Sequence, residues 1–363
     1  MNLSKISDSV LTYLKLSNTP ERLLLKGGLY CLGFAPSLNF SIELISYLSG
    51  RPFVVSLLSE DPIVAFAQYV ILTLGVLMIA LSLPMFWRGH SNQHSLLKRR
   101  KNILVEVRGL YTATETPVDI DSFGLPPGRT ENYRIDFKPA TQASLVDPRA
   151  ILEKVTPLKS HLENLTSGLE FTDFTILVGG LAAVPAMVLV GVEIGNKSNT
   201  IIYDWVRPNG PWRALDDEDN GVSLVLDIDT LPTVGEEEIV LAISVSYQVD
   251  YSAITASFPG LSVVRLRVEE AVVDSVWSLD KLKRYSQTFT NTIQTLMRLG
   301  VKRVHVVMAA PNSVSLSFGM HYDGRNMLDL VVYQYEKSNS PAYPWGILMP
   351  THAKPQPTLV ELR

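Results

Sequence analysis

Residues 63–87 read IVAFAQYVILTLGVLMIALSLPMFW, 25 positions without a charged side chain. About 20 apolar residues in a helix cross a hydrocarbon core of ~30 Å, so this run predicts a membrane-spanning helix. It ends in Phe86 and Trp87, aromatic side chains suited to the membrane interface, and Arg88 follows. An earlier stretch, 27–48 (GGLYCLGFAPSLNFSIELISYL), is apolar but holds Pro36, Asn39 and Glu43. One charge near mid-membrane costs about 2.5–3.5 kcal/mol, which its Leu, Ile and Phe side chains offset. It is read as a first span, with a helix lying on the bilayer surface as the alternative.

The charges fit a hairpin of two spans. Lys5, Lys15, Arg22 and Lys26 precede the first, and Arg88, Lys98, Arg99, Arg100 and Lys101 follow the second. Between the spans lie only Arg51, Glu60 and Asp61. Basic flanks stay on the cytoplasmic side, so both ends of the hairpin and everything after it are expected there. The first apolar segment starts too far in, and lacks the small-residue cleavage site, for a removable signal peptide. Residues 1–101 therefore form a basic anchor of net charge +5, and the remaining 262 residues an acidic module of net charge −9. The single cysteine, Cys31, excludes an internal disulfide and any Cys-rich zinc site.

A third uncharged run, 174–194, is better explained inside the soluble module. There, strand-like and helix-like segments alternate. ILVEVRGLY (103–111) is a strand pattern. Asp147–Pro148 is a helix start, with Asp as cap and Pro in the first turn. Ile151, Val155, Leu158, Leu162 and Leu165 then share one face, with Pro157 predicting a break. FTILVGG (174–180) reads as a buried strand, 182–193 as a short helix and 200–206 as a strand. The second half repeats the order: a strand at 238–247, a helix capped by Ser278 and stopped by Gly300, and strands at 303–311 and 329–336. Pro185, Gly191, Tyr203 and Trp212 in the first half parallel Pro311, Gly319, Tyr333 and Trp345 in the second. A duplicated βαβ unit explains this pattern and predicts two Rossmann-type α/β halves with parallel strands. The polar residues His305 and Asn312 in the second copy argue that its partner, 174–194, is no membrane span.

In such sheets ligands bind beyond the carboxyl ends of the strands. The small-residue turns Gly179-Gly180-Leu181-Ala182 and Ala309-Ala310-Pro311-Asn312 fall at that edge. They either admit a phosphate to backbone N–H groups or serve close strand–helix packing; the residues alone leave both open. No GxxxxGK[ST], GxGxxG, GxSxG or HExxH motif is present. His90 and His94 lie in a polar juxtamembrane stretch, and the run Asp216–Asp219 reads as a solvated loop. Ser244, Ser246, His305 and Asp229 make no recognisable nucleophile arrangement. The inventory favours a receptor over an enzyme, with no catalytic residues, metal or cofactor expected. A membrane-tethered enzyme that degrades a signalling nucleotide is the alternative.

The run EIVLAISVSYQVD…SFPG…DSVWSLDKL…VHVVMAAPNSVSLSFGMHY…VVYQYEKSNSPAYPWGILM resembles the SAVED domain. VGGLAAVPAMVLVGVEIG…IIYDWVRPNGPW resembles that domain's first half. The chain is thus similar to the transmembrane SAVED effectors of bacterial CBASS anti-phage defence. The resemblance implies an N-terminal transmembrane α-helical hairpin plus an α/β SAVED domain of two fused CARF-like, Rossmann-type halves. The expected boundaries are a membrane anchor 1–101 with spans at 27–48 and 63–87, a sensor 102–350 with halves 102–235 and 236–350, and a tail 351–363. It further implies a cyclic di- or trinucleotide ligand made by a cGAS-like nucleotidyltransferase, a homo-oligomer assembled through SAVED domains, and a multi-pass protein of the bacterial inner membrane with SAVED cytoplasmic. Ligand binding would drive oligomerisation, and the helices would then open or disrupt the bilayer. Candidate ligand residues are Gly180, Leu181, Trp205, Arg207, Ser246, Tyr247, Ala310, Pro311 and Asn312, with Lys281, Arg284 and Trp277 as further donors or stacking partners. Asn39 and Glu43 are the candidate pore residues, and Gln68 a weaker one.

Overall fold

The computed structural model describes residues 23–34, 62–109, 125, 127–138, 146–197, 199–206 and 212–362, and of these the side chains outside 86–98. The chain divides into two compact units, Met1–Lys98 and Arg99–Arg363.

In the first unit, helix α1 covers Leu23–Phe34 and helix α2 covers Pro62–Arg99. Within α2, Pro62–Met85 is long and apolar enough to cross a membrane, with a mean hydropathy of 2.3. The helices meet where side chains are smallest. A methyl built on Gly28 would lie 2.8 Å from the Gly75 carbonyl oxygen, and one on Gly75 would lie 3.0 Å from the Cys31 Cβ. Apolar helices in lipid associate through such close backbone approach, since lipid removes the hydrophobic drive. Gln68, Gly75 and Ser82, spaced by sevens, form the buried stripe of α2, while Ile63, Phe66, Val70, Val76 and Leu77 are exposed. Gln68 therefore faces inward within one chain. Asn39, Glu43 and most of the first expected span lie outside the described residues.

The second unit holds two sheets. The first, in order β2-β1-β3-β4-β5, uses Lys101–Arg108 (β1), Arg129–Asp136 (β2), Phe174–Leu181 (β3), Thr200–Trp205 (β4) and Trp212–Ala214 (β5). β1 to β4 are parallel and β5 is antiparallel. The second runs β12-β11-β10-β9-β7-β8-β6. Its strands are Leu224–Leu226 (β6), Glu238–Ser244 (β7), Val263–Val268 (β8), Arg303–Ala309 (β9), Asp329–Gln334 (β10), Trp345–Leu348 (β11) and Thr358–Glu361 (β12). β7 to β10 are parallel. The run β8-β7-β9-β10-β11 repeats β2-β1-β3-β4-β5 strand for strand, so the duplication reaches five strands per half. Residues 358–361, expected in a tail, supply the edge strand β12 on β11.

The helices follow their sequence signals. Asp147 caps Pro148–Val155 (α3), its carboxylate accepting from the Arg149 N–H at 2.9 Å. Pro157 separates α3 from Leu158–Thr166 (α4), and Ile151, Val155, Leu158 and Leu162 are buried. Val184–Ile194 (α5) and the fully buried β3 replace any third membrane span. Tyr251–Ser257 (α6) follows β7. Ser278 caps Leu279–Arg298 (α7), which ends at Gly300 with φ +97°, a conformation glycine adopts without strain. Asn312–His321 (α8) follows β9.

The two halves join through α5 and α8. Gly191 and Gly319 each stand eight residues after the helix cap, Ala183 and Pro311 respectively. A methyl on Gly191 would overlap the Leu316 carbonyl oxygen, and one on Gly319 the Val188 carbonyl oxygen. The backbones touch, and a side chain at either point would force the helices apart. Overpacking of this kind costs roughly 1–3 kcal/mol or more. Gly191→Ala and Gly319→Ala are each expected to lower the thermal midpoint of the full chain by several degrees, measured by scanning fluorimetry in detergent. A midpoint unchanged in both variants would refute the contact.

Candidate functional site

In each half the strand order reverses at one place, between β1 and β3 in the first sheet and between β7 and β9 in the second. The crevice at such a point, beyond the carboxyl strand ends, is where open α/β sheets hold ligands. The α5–α8 crossing brings the two edges together. The Asn312 side-chain amide donates to the Gly180 carbonyl at 3.0 Å, across the halves. The Ser313 backbone N–H, in the first turn of α8, donates to the Asp204 carboxylate at 3.0 Å, and the Trp205 N–H donates to its other oxygen at 2.8 Å.

The structure brings most of the expected residues to this edge. Gly180, Leu181 and Asn312 are buried; Trp205, Ala310 and Pro311 are half-buried. The strand expected to reach Tyr247 ends at Ser244. The chain then bends, with the Val245 and Ser246 N–H groups both donating to the Ala309 carbonyl at 2.9 Å. Ser246 is buried, whereas Tyr247 is 57% exposed beside the β7–β9 reversal. Arg207 lies outside the described residues.

The glycines of the first turn have a packing reason. A Cβ on Gly179 would lie 2.6 Å from the Tyr203 ring, and one on Gly180 2.6 Å from the Val107 Cβ. Of the two readings of that turn, packing accounts for both glycines.

Three further candidates divide. Arg284 forks onto Asp219 with two bonds of 2.7 Å and donates to the Ser223 hydroxyl and the Val222 carbonyl. The guanidinium holds the Asp219 carboxyl below its usual range through those bonds. Trp277 has its face covered by the Arg213 guanidinium, 4.8 Å from the ring centre. Asp216 and Asp217 pair with the same arginine. The acidic run is thus tied into ion pairs rather than simply solvated. Lys281 is only 2% exposed and donates to the Ser275 carbonyl at 2.7 Å.

Sequence reading missed three residues. Arg108, at the carboxyl end of β1, is 5% exposed and pairs with Glu106 at 2.7 Å, which also holds Arg134 at 3.2 Å. Two charges two apart in an apolar strand share one face, a signal present in ILVEVR. Asp204 and Ser313 carried no such signal, because their meeting depends on the helix crossing.

His305 belongs to the opposite end of its strand. Its Nδ1 is 3.1 Å from the Tyr333 hydroxyl and its Nε2 is 3.1 Å from Glu238. It meets neither Ser244 nor Ser246, so no nucleophile–base pair forms there. Among the described residues no cluster of His, Cys, Asp and Glu could hold a metal ion.

A family model described as "SMODS-associated and fused to various effectors sensor domain" (SAVED) matches residues 158–349. The chain belongs to the SAVED sensor family. A second model, the SAVED-fused 2TM effector domain, matches residues 1–152, the part of the chain that holds the long apolar helix. The effector match extends past Lys98 into β1 and β2, which fold with the SAVED unit. Solved structures of similar fold include the Acinetobacter baumannii Cap4 SAVED/CARF-domain receptor with the cyclic trinucleotide 3'3'3'-cAAA, at 13% identity and TM-score 0.47. The same receptor with 2'3'3'-cAAA gives 15% and 0.46. Each match covers 79% of this chain and 59% of the receptor. The Moraxella osloensis Cap4 receptor matches at 12% identity and TM-score 0.43, over 76% of this chain and 53% of its own. No curated protein matches.

Burial lowers the His305 pKa against the opposing pull of Glu238. A depressed folded value means the neutral ring is the folded form. Its contribution is complete above about pH 6.5, the unfolded value, and is lost as pH falls below it. Glu193, pushed by burial up to about 7, works the other way: its folded form binds a proton that is lost as pH rises through 7. Between pH 7.5 and 5.5, His305→Gln should therefore lose less stability than the natural protein on acidification, read as urea midpoints. Equal losses would show that His305 is not desolvated.

Proposed function

We propose that this chain is a cyclic-oligonucleotide receptor and membrane effector of CBASS defence. Ligand at the SAVED crevice drives assembly of several chains, and the transmembrane helices then breach the bacterial inner membrane. The observation that carries this reading is the union of a SAVED sensor and a 2TM effector domain in one polypeptide. Several copies are needed on physical grounds, since two helices cannot enclose an aqueous pore. The reaction is assembly rather than chemistry: no catalytic step is assigned, and a cGAS-like nucleotidyltransferase supplies the ligand. Tyr247, exposed at the reversal point, is the stacking platform for a base. Asp204 occupies the Ser313 N–H at the start of α8, so phosphate recognition falls to the other turn donors and to Arg207. Glu43 and Asn39 are assigned to the pore.

The test uses the full chain in liposomes loaded with dye. Cyclic di- and triadenylate are the probes. Dye release with one of them, and none without, supports the proposal; tight binding with sealed vesicles refutes the membrane step. Glu43→Ala should change the rate of release and leave ligand affinity alone.

Tyr247→Ala should weaken binding of the active probe by about 1–3 kcal/mol, the worth of one base stacked on an aromatic ring. The fold should be unaffected, because the side chain is exposed. Calorimetry on a folded variant with undiminished affinity would remove Tyr247 from the site.

A further inference from the structure

A cavity of about 890 Å³ opens beyond the carboxyl end of β8, beneath the connection to α7. It is lined by residues of the 220–225 segment, by 268–270 and 272–275, and by Lys281 and Tyr285 of α7. Two observations set it apart. The Tyr285 hydroxyl is buried and has no hydrogen-bond partner among the described residues, and the residue is 1% exposed. An unpaired buried hydroxyl is costly and rare in native proteins. Beside it the Lys281 ammonium spends one proton on the Ser275 carbonyl at 2.7 Å and lies 5.6 Å from the Tyr285 ring centre. Among the described residues no carboxylate lies within 4.0 Å of it: Asp219, the nearby acid, is committed to Arg284. A buried cation without a counter-ion is likewise uneconomical. Lysine and tyrosine are one helical turn apart and share a face, and both residues line the same cavity.

The remaining wall is mixed: Asn220, Ser223, Asp274 and Ser275 contribute polar groups, and five valines form its apolar part. Val222, Val225 and Val272 are 38%, 55% and 48% exposed, and all three line this one cavity, with Val268 and Val273. Glu269 and Glu270 stand exposed at the rim, where water screens them. The wall formed by 220–223 is held in place by the bonds of Arg284 to Ser223 and Val222.

We propose that this cavity is a second ligand site, which takes a phosphate ester with an apolar body and free hydroxyls. Its phosphate accepts from Lys281 and Tyr285, its body lies on the valines, and its hydroxyls donate to Glu269 and Glu270. The assignment is independent of the crevice at the β7–β9 reversal. Two sources carry this chemistry: a free mononucleotide, or one phosphate of the cyclic oligonucleotide itself.

The experiment is calorimetry on the full chain in detergent, with 5′-AMP, adenosine and inorganic phosphate as probes. AMP should bind at least tenfold more tightly than adenosine, and phosphate should compete with it. Tyr285→Phe keeps the ring and removes the unpaired hydroxyl. It should weaken AMP on the order of tenfold while leaving the thermal midpoint equal or higher. Lys281→Met should abolish AMP binding; if that variant fails to fold, Tyr285→Phe decides alone. Saturating cyclic triadenylate that displaces AMP would identify the messenger's own phosphate as occupant, whereas simultaneous binding would identify a separate nucleotide. No AMP binding at millimolar concentration, or an affinity untouched by Tyr285→Phe, overturns the site.

Discussion

The contact between Gly191 of α5 and Gly319 of α8 is the constraint on which the rest of the SAVED unit depends. Helices usually pack 8–10 Å apart, at a distance set by the side chains between them. Removing both side chains lets the backbones touch, and each helix follows the central strand of its own sheet. The crossing therefore brings the two carboxyl edges together. Only then can the Asn312 amide reach Gly180 and the Asp204 carboxylate reach the Ser313 N–H. Neither half could assemble this edge alone.

The same contact redistributes charge. A helix N-terminus carries partial positive charge and welcomes an anion. In the second half that place is partly filled by Asp204 from the first half, buried at 6% exposure. This suits a module of net charge −9, in which long-range attraction cannot gather polyanions. Buried cations remain at two other points of the strand ends. Arg108 is matched by Glu106 at the end of β1, whereas Lys281 beyond β8 donates to the Ser275 carbonyl. That difference separates a structural ion pair from a place for a ligand's charge.

Local signals were legible in the sequence because local physics sets them. The caps Asp147 and Ser278, the break at Pro157, the stop at Gly300 and the 25-residue apolar run each act within a few residues. The repeat was legible too, and with it the parallel, two-part architecture. Its register needed the fold: Pro185 lies inside α5 and Pro311 caps α8, so the equivalent points are Ala183 and Pro311, and Gly191 and Gly319 align behind them. The turn 179–182 admits a phosphate cradle as well as packing in the sequence, because glycine serves both; Tyr203 and Val107 pressing on Gly179 and Gly180 account for the glycines by packing. Arg284 and Trp277 were attractive as free donors and stackers because sequence cannot show a side chain's partner. Asp219 and Arg213 lie 65 and 64 positions away from them and occupy both. The Tyr285 hydroxyl illustrates the reverse: an unsatisfied group is visible only when every neighbour is placed.

The covalent joint between the two units is short. α2 ends at Arg99 and β1 begins at Lys101, so one residue separates a helix that starts in the apolar run from the strand in the middle of the first sheet. That residue is fixed on its SAVED side, where the Arg129 N–H donates to the Arg100 carbonyl at 2.9 Å and the Lys101 ammonium donates to the Leu165 carbonyl at 2.9 Å. At its other end β1 runs to the crevice, where the Gly109 N–H donates to the Leu181 carbonyl at 2.8 Å. Connectivity alone does not make a switch, however. A ligand shifts an equilibrium only by binding one state better than the other. Within one chain the crevice is built on backbones in contact and on buried strands, which resist graded deformation. The second state proposed above, an association between chains, asks for no such bend within a single chain.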